Sequence, residues 1–121
     1  MSDSALPPTA AYHFKFLYKA INELVTGPGD IRNRLVYAGQ HFLTIPPSVF
    51  PEHLRPQAEA IRGYLTEFKA EPYASYPYDT DIRVTMKRRR ASTAVRTAEA
   101  MWSLYFQYQD AIEADRRERA V

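Results

Sequence analysis

The sequence predicts an all-α protein: a compact irregular bundle of four to five helices with a long C-terminal helix. Three observations carry this expectation. Apolar residues recur at intervals of three and four through successive stretches of the chain, as one face of a helix requires. Strong turn signals, Thr26-Gly27-Pro28-Gly29 and Ile45-Pro46-Pro47, separate the early stretches. Arg83-Val84-Thr85-Met86 is the one segment that could be read as a strand, and its flanks are helical.

The elements follow in order. Residues 1–8 read as a short flexible lead ending in Pro7-Pro8. Thr9 can cap a first helix running to about Val25, with Phe14, Leu17, Ile21 and Leu24 as its apolar stripe. Asp30 is placed to cap a second helix, because its carboxylate can accept from the orphan N–H groups of the first turn. Ile31, Leu35, Ala38 and Phe42 keep the helical period there. Ser48 to Leu54 is turn-like, with Pro51 and Pro56 restricting the backbone. A third helix is expected to reach about Phe68 on the stripe Leu54, Ala58, Ile61, Leu65, Phe68. Residues 70–80 form a loop rich in Tyr and Pro that lies on the helices. Asp79, Thr80 or Asp81 then starts a helix carrying Ile82 and Met86, which either breaks at Ser92 or Thr93 or runs on to about Arg119. Val95, Ala98, Trp102, Tyr105, Gln109 and Ile112 alternate by threes and fours, and are expected to be the packing seam of this last element.

Length and composition fit one domain spanning residues 1–121. The chain is 45% hydrophobic and 25% charged, which is ordinary for a folded protein and unlike a disordered one. It has no cysteine, so disulfides, thiolate zinc sites and cysteine nucleophiles fall away together. The first residues lack the basic and apolar regions of a signal peptide, and no apolar run could cross a bilayer, so a cytoplasmic setting without membrane contact is expected. The nine Tyr, six Phe and one Trp suit either a partner surface or a core filled with aromatics.

Catalytic and metal chemistry find little support. His13, His41 and His53 are isolated, with no HxxxH, HExxH or ExxH spacing to bring two ligands to one helix face, so neither a metal nor a cofactor is expected. There is no GxSxG elbow. Gly27-Pro28-Gly29 precedes a helix but lacks the strand before it and the Lys-Ser/Thr of a phosphate-binding loop. One pair survives as catalytic candidates. Arg34 and His41 lie two helical turns apart on one face, where an Arg could orient and a His protonate an RNA phosphate. Their spacing resembles the R-x4-6-H motif of the HEPN ribonucleases. That resemblance implies an all-helical, dimeric enzyme that cleaves RNA without metal, although Leu35 stands where that family prefers a polar residue.

The sharpest feature is a basic run. Residues 81–100 carry Arg83, Lys87, Arg88, Arg89, Arg90 and Arg96 against only Asp81 and Glu99, while the rest of the chain is slightly acidic. On a continuous helix, Arg83, Lys87 and Arg90 would share a face able to meet phosphates or carboxylates. Just upstream, Tyr73, Tyr76 and Tyr78 would add adaptable contacts.

A second resemblance is spread along the chain. Asn22 to Leu35, Phe50-Pro51-Glu52-His53-Leu54-Arg55, and Ser103-Leu104-Tyr105 are similar to segments of small helical bacterial proteins of unknown function. The resemblance implies a bacterial, cytoplasmic or mobile-element setting and transfers no functional residue.

The expectation for function is a non-enzymatic interaction or regulatory protein that binds another macromolecule through the basic helix and the Tyr-rich loop. The alternatives are a nucleic-acid-binding protein using the same charges, and a metal-independent ribonuclease. A protein is the leading partner, nucleic acid the second. Trp102, Tyr105 and Ile112 offer more apolar surface than one short neighbour needs, which raises a homodimer as a further expectation.

Overall fold

A computed structural model describes residues 6–7, 9–70 and 80–120. Five α-helices account for most of them: α1 (Ala10–Thr26), α2 (Ile31–Phe42), α3 (Arg55–Leu65), α4 (Asp81–Arg88) and α5 (Ala91–Ala120). Two single 3-10 turns, Pro47–Val49 and Glu52–Leu54, link α2 to α3. No strand occurs among the described residues. The Tyr-rich segment, including Tyr73, Tyr76 and Tyr78, lies outside the described residues, as do residues 1–5.

α1 and α2 form a hairpin across Gly27–Asp30. Gly27 donates its N–H to the Glu23 carbonyl at 2.8 Å and ends α1. Gly29 sits at φ +83°, a left-handed conformation that costs glycine little and other residues more. Asp30 then caps α2, its carboxylate accepting from the N–H groups of Arg32 and Asn33 at 2.9 and 3.2 Å. At the start of α1, Thr9 holds the capping position but makes no side-chain bond there; its carbonyl accepts from His13 N–H instead. Leu6, within the expected flexible lead, is buried, and its carbonyl accepts from Arg119.

α3 stops earlier than its apolar stripe suggests. It ends at Leu65, and Phe68 lies beyond it in a bend tied to α4. There the buried Thr85 hydroxyl accepts from Phe68 N–H at 3.0 Å and donates to Phe68 C=O at 3.1 Å. One side chain thus satisfies both backbone groups of a residue outside regular structure.

The last helix is two helices. Thr80 caps α4 through its hydroxyl, and the chain becomes extended at Arg89 before α5 begins at Ala91. The break precedes Ser92 and Thr93, where it was expected, because Arg89 turns inward, as described below. α5 then runs for 30 residues. Its buried seam is Ala94, Thr97, Met101, Leu104 and Tyr108, one residue out of phase with the expected one. Both stripes satisfy the three–four spacing. The buried one begins with the small residues Ala94 and Thr97, which let neighbouring helices approach, and ends with Tyr108. The bulkier stripe is rotated to the flank facing α1, where Val95 and Trp102 are exposed.

The core gathers on that seam. Leu17 of α1, Leu35 of α2, Leu54, Leu65 of α3, Met101 and Leu104 of α5 are completely buried. Tyr108 anchors one end, its ring 4.7 Å from Phe50 and 5.6 Å from Phe14. Its hydroxyl lies 3.2 Å from the Val49 carbonyl and 3.3 Å from that of Ala10, tying α5 to the 3-10 turn and to α1.

Candidate functional site

The basic run does not form one face. The break at Arg89 divides it, and each cation has separate surroundings.

Arg83 and Lys87 remain together, one turn apart on α4. They face α2 because α4 packs closely on it. A side chain built onto Gly39 would bring its Cβ within 3.0 Å of Ile82 Cδ1, so the bare glycine permits the approach. The result is an open cleft of about 330 Å³ lined by Asp30, Arg32, Asn33 and Val36 from the α2 end, and by Arg83, Met86 and Lys87 from α4. Val36 and Met86 are buried and form an apolar floor. Three cations and one carboxylate stand around it.

Each wall is held in place. Arg32 pairs with Asp30 at 2.9 Å, and its other terminal nitrogen donates to the Arg89 carbonyl at 3.4 Å, just past the C-terminal end of α4. A guanidinium there meets the negative end of the helix dipole. The Arg32 side chain and then the Asn33 N–H hold the Asp30 carboxyl below its ordinary pKa, so it stays ionised as a cap and counter-charge. Arg83 lies over the Tyr37 ring, 5.8 Å from its centre, which steadies its guanidinium at the rim.

The other cations go elsewhere. Arg89 turns under α3, with its side chain only 15% exposed, and pairs with Glu67. Its guanidinium stacks 4.0 Å over Tyr64 and donates to the Tyr64 carbonyl, so it locks the α4–α5 junction to α3. Expected as a surface contact, Arg89 is a structural clamp. Arg88 is exposed above the Phe68 ring at 4.8 Å. Arg90 is exposed just ahead of α5, its carbonyl accepting from Thr93 and Ala94. Arg96 lines a separate groove with Tyr64 and Thr93, between α3 and α5. The expected alignment of Arg83, Lys87 and Arg90 on one continuous helix is therefore corrected: only the first two share a face.

Arg34 and His41 both turn toward α1. Arg34 donates to the carbonyls of Gly29 and Leu24 at 3.1 and 3.2 Å, closing the hairpin turn and the C-terminal end of α1. His41 lies 3.7 Å from a Glu23 carboxylate oxygen. The two Arg34 bonds hold its guanidinium against the α1–α2 turn. Among the described residues, no three His, Asp or Glu side chains gather as a metal ion would require. No helix among them is long and apolar enough to cross a membrane.

Sequence reasoning missed Arg32. It lies far from the basic run and joins Arg83 and Lys87 only through the packing of α2 on α4. Its one local signal was its place in the first turn of a helix already capped by Asp30. Comparison with known proteins adds no name to this geometry: no protein family, curated protein or solved structure matches the chain.

Proposed function

We propose that the protein is a cytoplasmic, non-enzymatic interaction module that grips an acidic segment of a partner protein in the cleft between α2 and α4. The supporting observation is the pairing of a cationic rim, Arg32, Arg83 and Lys87, with the apolar floor of Val36 and Met86. A peptide that alternates carboxylates with an apolar side chain matches both at once. Arg forks suit carboxylates, and the buried floor rewards an apolar anchor. A nucleic-acid backbone fits less well. The cleft lining offers no aromatic ring for a base to stack on, and the nearby Tyr37 ring is covered by Arg83. Tyr73, Tyr76 and Tyr78, in the segment leading into α4, keep their part in this reading as adaptable contacts.

Fluorescence anisotropy tests the reading with two probes of equal length: a labelled peptide of alternating Glu and Leu, and a labelled single-stranded or duplex nucleic acid. The peptide is expected to bind more tightly, and the double change Arg83→Ala, Lys87→Ala to weaken it at least about tenfold, whereas Arg96→Ala in the other groove leaves it unchanged. Tighter binding of nucleic acid, lost in the same double variant with a steep salt dependence, would favour the nucleic-acid reading instead. Peptide binding that survives the double change would remove the cleft from consideration.

A further inference from the structure

Arg89 makes contact at both its ends. Its backbone N–H closes α4 on the Met86 carbonyl at 3.3 Å, and the chain there is extended. Its own carbonyl, outside both helices, accepts from the Arg32 guanidinium at 3.4 Å. Its side chain meets α3 and the residues just after it. The guanidinium carbon stands 4.0 Å from the centre of the Tyr64 ring and 5.5 Å from that of Phe68. One terminal nitrogen donates to the Tyr64 carbonyl and pairs with Glu67. The Arg89 Nε is buried without a hydrogen-bond partner among the described residues. A buried donor left unpaired opposes this placement, so the ring stacking and the Glu67 pair must hold the side chain against it.

Arg32 is the cation that α2 contributes to the cleft, where α4 contributes Arg83 and Lys87. Two acceptors fix its guanidinium. Asp30, just ahead of the same helix, holds one terminal nitrogen at 2.9 Å, and the Arg89 carbonyl holds the other. The first bond stays with α2. The second ties the side chain to the α4–α5 junction. With both in place, 41% of the Arg32 side chain is still exposed to meet a ligand. A guanidinium that is already fixed loses less conformational freedom on binding, and affinity rises accordingly.

We propose that Arg89 is a positioning residue for the cleft: its side chain, clamped by Tyr64 and Glu67, sets where its carbonyl stands, and that carbonyl holds Arg32 ready for an acidic partner. The role rests on the reading of the cleft as a binding site. Glu67 lines neither wall of the cleft. The series of contacts from Glu67 to the Arg89 side chain, and from the Arg89 carbonyl to Arg32, nonetheless gives this exposed acid a hold on what binds there. Loosening the clamp should free Arg32 and weaken binding of the Glu/Leu peptide by about threefold to tenfold, the entropy of one released side chain.

Two measurements on the full chain test this. Nuclear magnetic resonance of protein labelled with 15N-arginine follows the Arg32 guanidinium directly, its signal identified by loss in Arg32→Lys. Slow rotation is expected in the parent and faster rotation in Glu67→Gln, a change at a side chain 54% exposed that should fold normally. Glu23→Gln, which removes the acid beside His41 instead, should leave Arg32 as it was. An Arg32 signal that ignores Glu67→Gln, or that answers equally to Glu23→Gln, overturns the proposal. Anisotropy with the Glu/Leu peptide then reads the consequence. Glu67→Gln should weaken binding in the parent and add nothing once Arg32→Ala is in place, because it acts through Arg32. An equal further loss in the Arg32→Ala background would overturn that route. A parent that shows the Arg32 response but binds no peptide would remove the cleft reading and leave the positioning contact standing.

Discussion

Replacing Tyr108 with Phe removes one oxygen from the centre of the fold and leaves the ring packing intact. The Tyr108 side chain is fully buried, and its hydroxyl lies between the carbonyls of Val49 and Ala10. Losing that donor removes the hydrogen bond that the buried hydroxyl gives to these carbonyls, at a cost of about 1.5 kcal/mol at neutral pH. Alkaline solution reverses the comparison. Burial raises the Tyr108 pKa from 10.0 to about 12, because a phenolate in the core would lose its hydration. The folded chain therefore keeps this proton where the unfolded chain releases it. The resulting stability is complete below pH 10 and is lost as pH rises toward 12. The loss grows by about 1.4 kcal/mol per pH unit in that window and approaches about 2.7 kcal/mol. Tyr108→Phe has no such proton and escapes this loss. Urea midpoints followed by circular dichroism should thus show the variant less stable at pH 7, equal to the parent near about pH 11, and more stable above it. Two curves that keep a constant separation from neutral to strongly alkaline pH would refute the buried phenol as the cause. Equal midpoints at pH 7 would refute the role of its hydrogen bonds.

Three further outcomes follow from local geometry. Thr85→Val keeps the volume but strips Phe68 of both its partners, and should lower stability by about 2 kcal/mol in a denaturant titration. Two glycines should respond with opposite signs to alanine: Gly63→Ala, in an exposed part of α3 with nothing within 4 Å, should stabilise by roughly 0.5–1 kcal/mol, whereas Gly29→Ala, at φ +83° and pressed to 3.0 Å from Asn33, should destabilise by about 1–2 kcal/mol. Arg89→Lys keeps the charge but loses the flat guanidinium stacked on Tyr64, and should lower the thermal midpoint by the equivalent of about 1–2 kcal/mol.

The fold was largely legible because capping and turn chemistry are local. Asp30, Thr80 and the Gly27–Gly29 turn act where their sequence neighbours suggest. The phase of α5 was not legible, since two adjacent stripes both obey the helical period and only the neighbours decide which is buried. Counting cations in sequence also overstated what the surface offers. Arg89 is drawn inward by Tyr64 and Glu67, and Arg34 by the carbonyls of Leu24 and Gly29. In the other direction, Arg32 enters the cleft through a contact between residues 57 apart in the chain, the bond from its guanidinium to the Arg89 carbonyl. Such contacts belong to the packing of helices and leave no trace in local spacing.

The missing side chain at Gly39 acts as a spacer set at zero. Because Ile82 stands 3.0 Å from where a Cβ would be, each carbon added there must push α4 outward or bend the Ile82 side chain aside. The rim residues Arg83 and Lys87 ride on that same helix, so the mouth of the cleft is adjustable from a position that never touches what enters it. Where α4 rather than the Ile82 side chain gives way, Ala at Gly39 widens the gap between Arg32 and Arg83 by a few tenths of an ångström without altering a single charge.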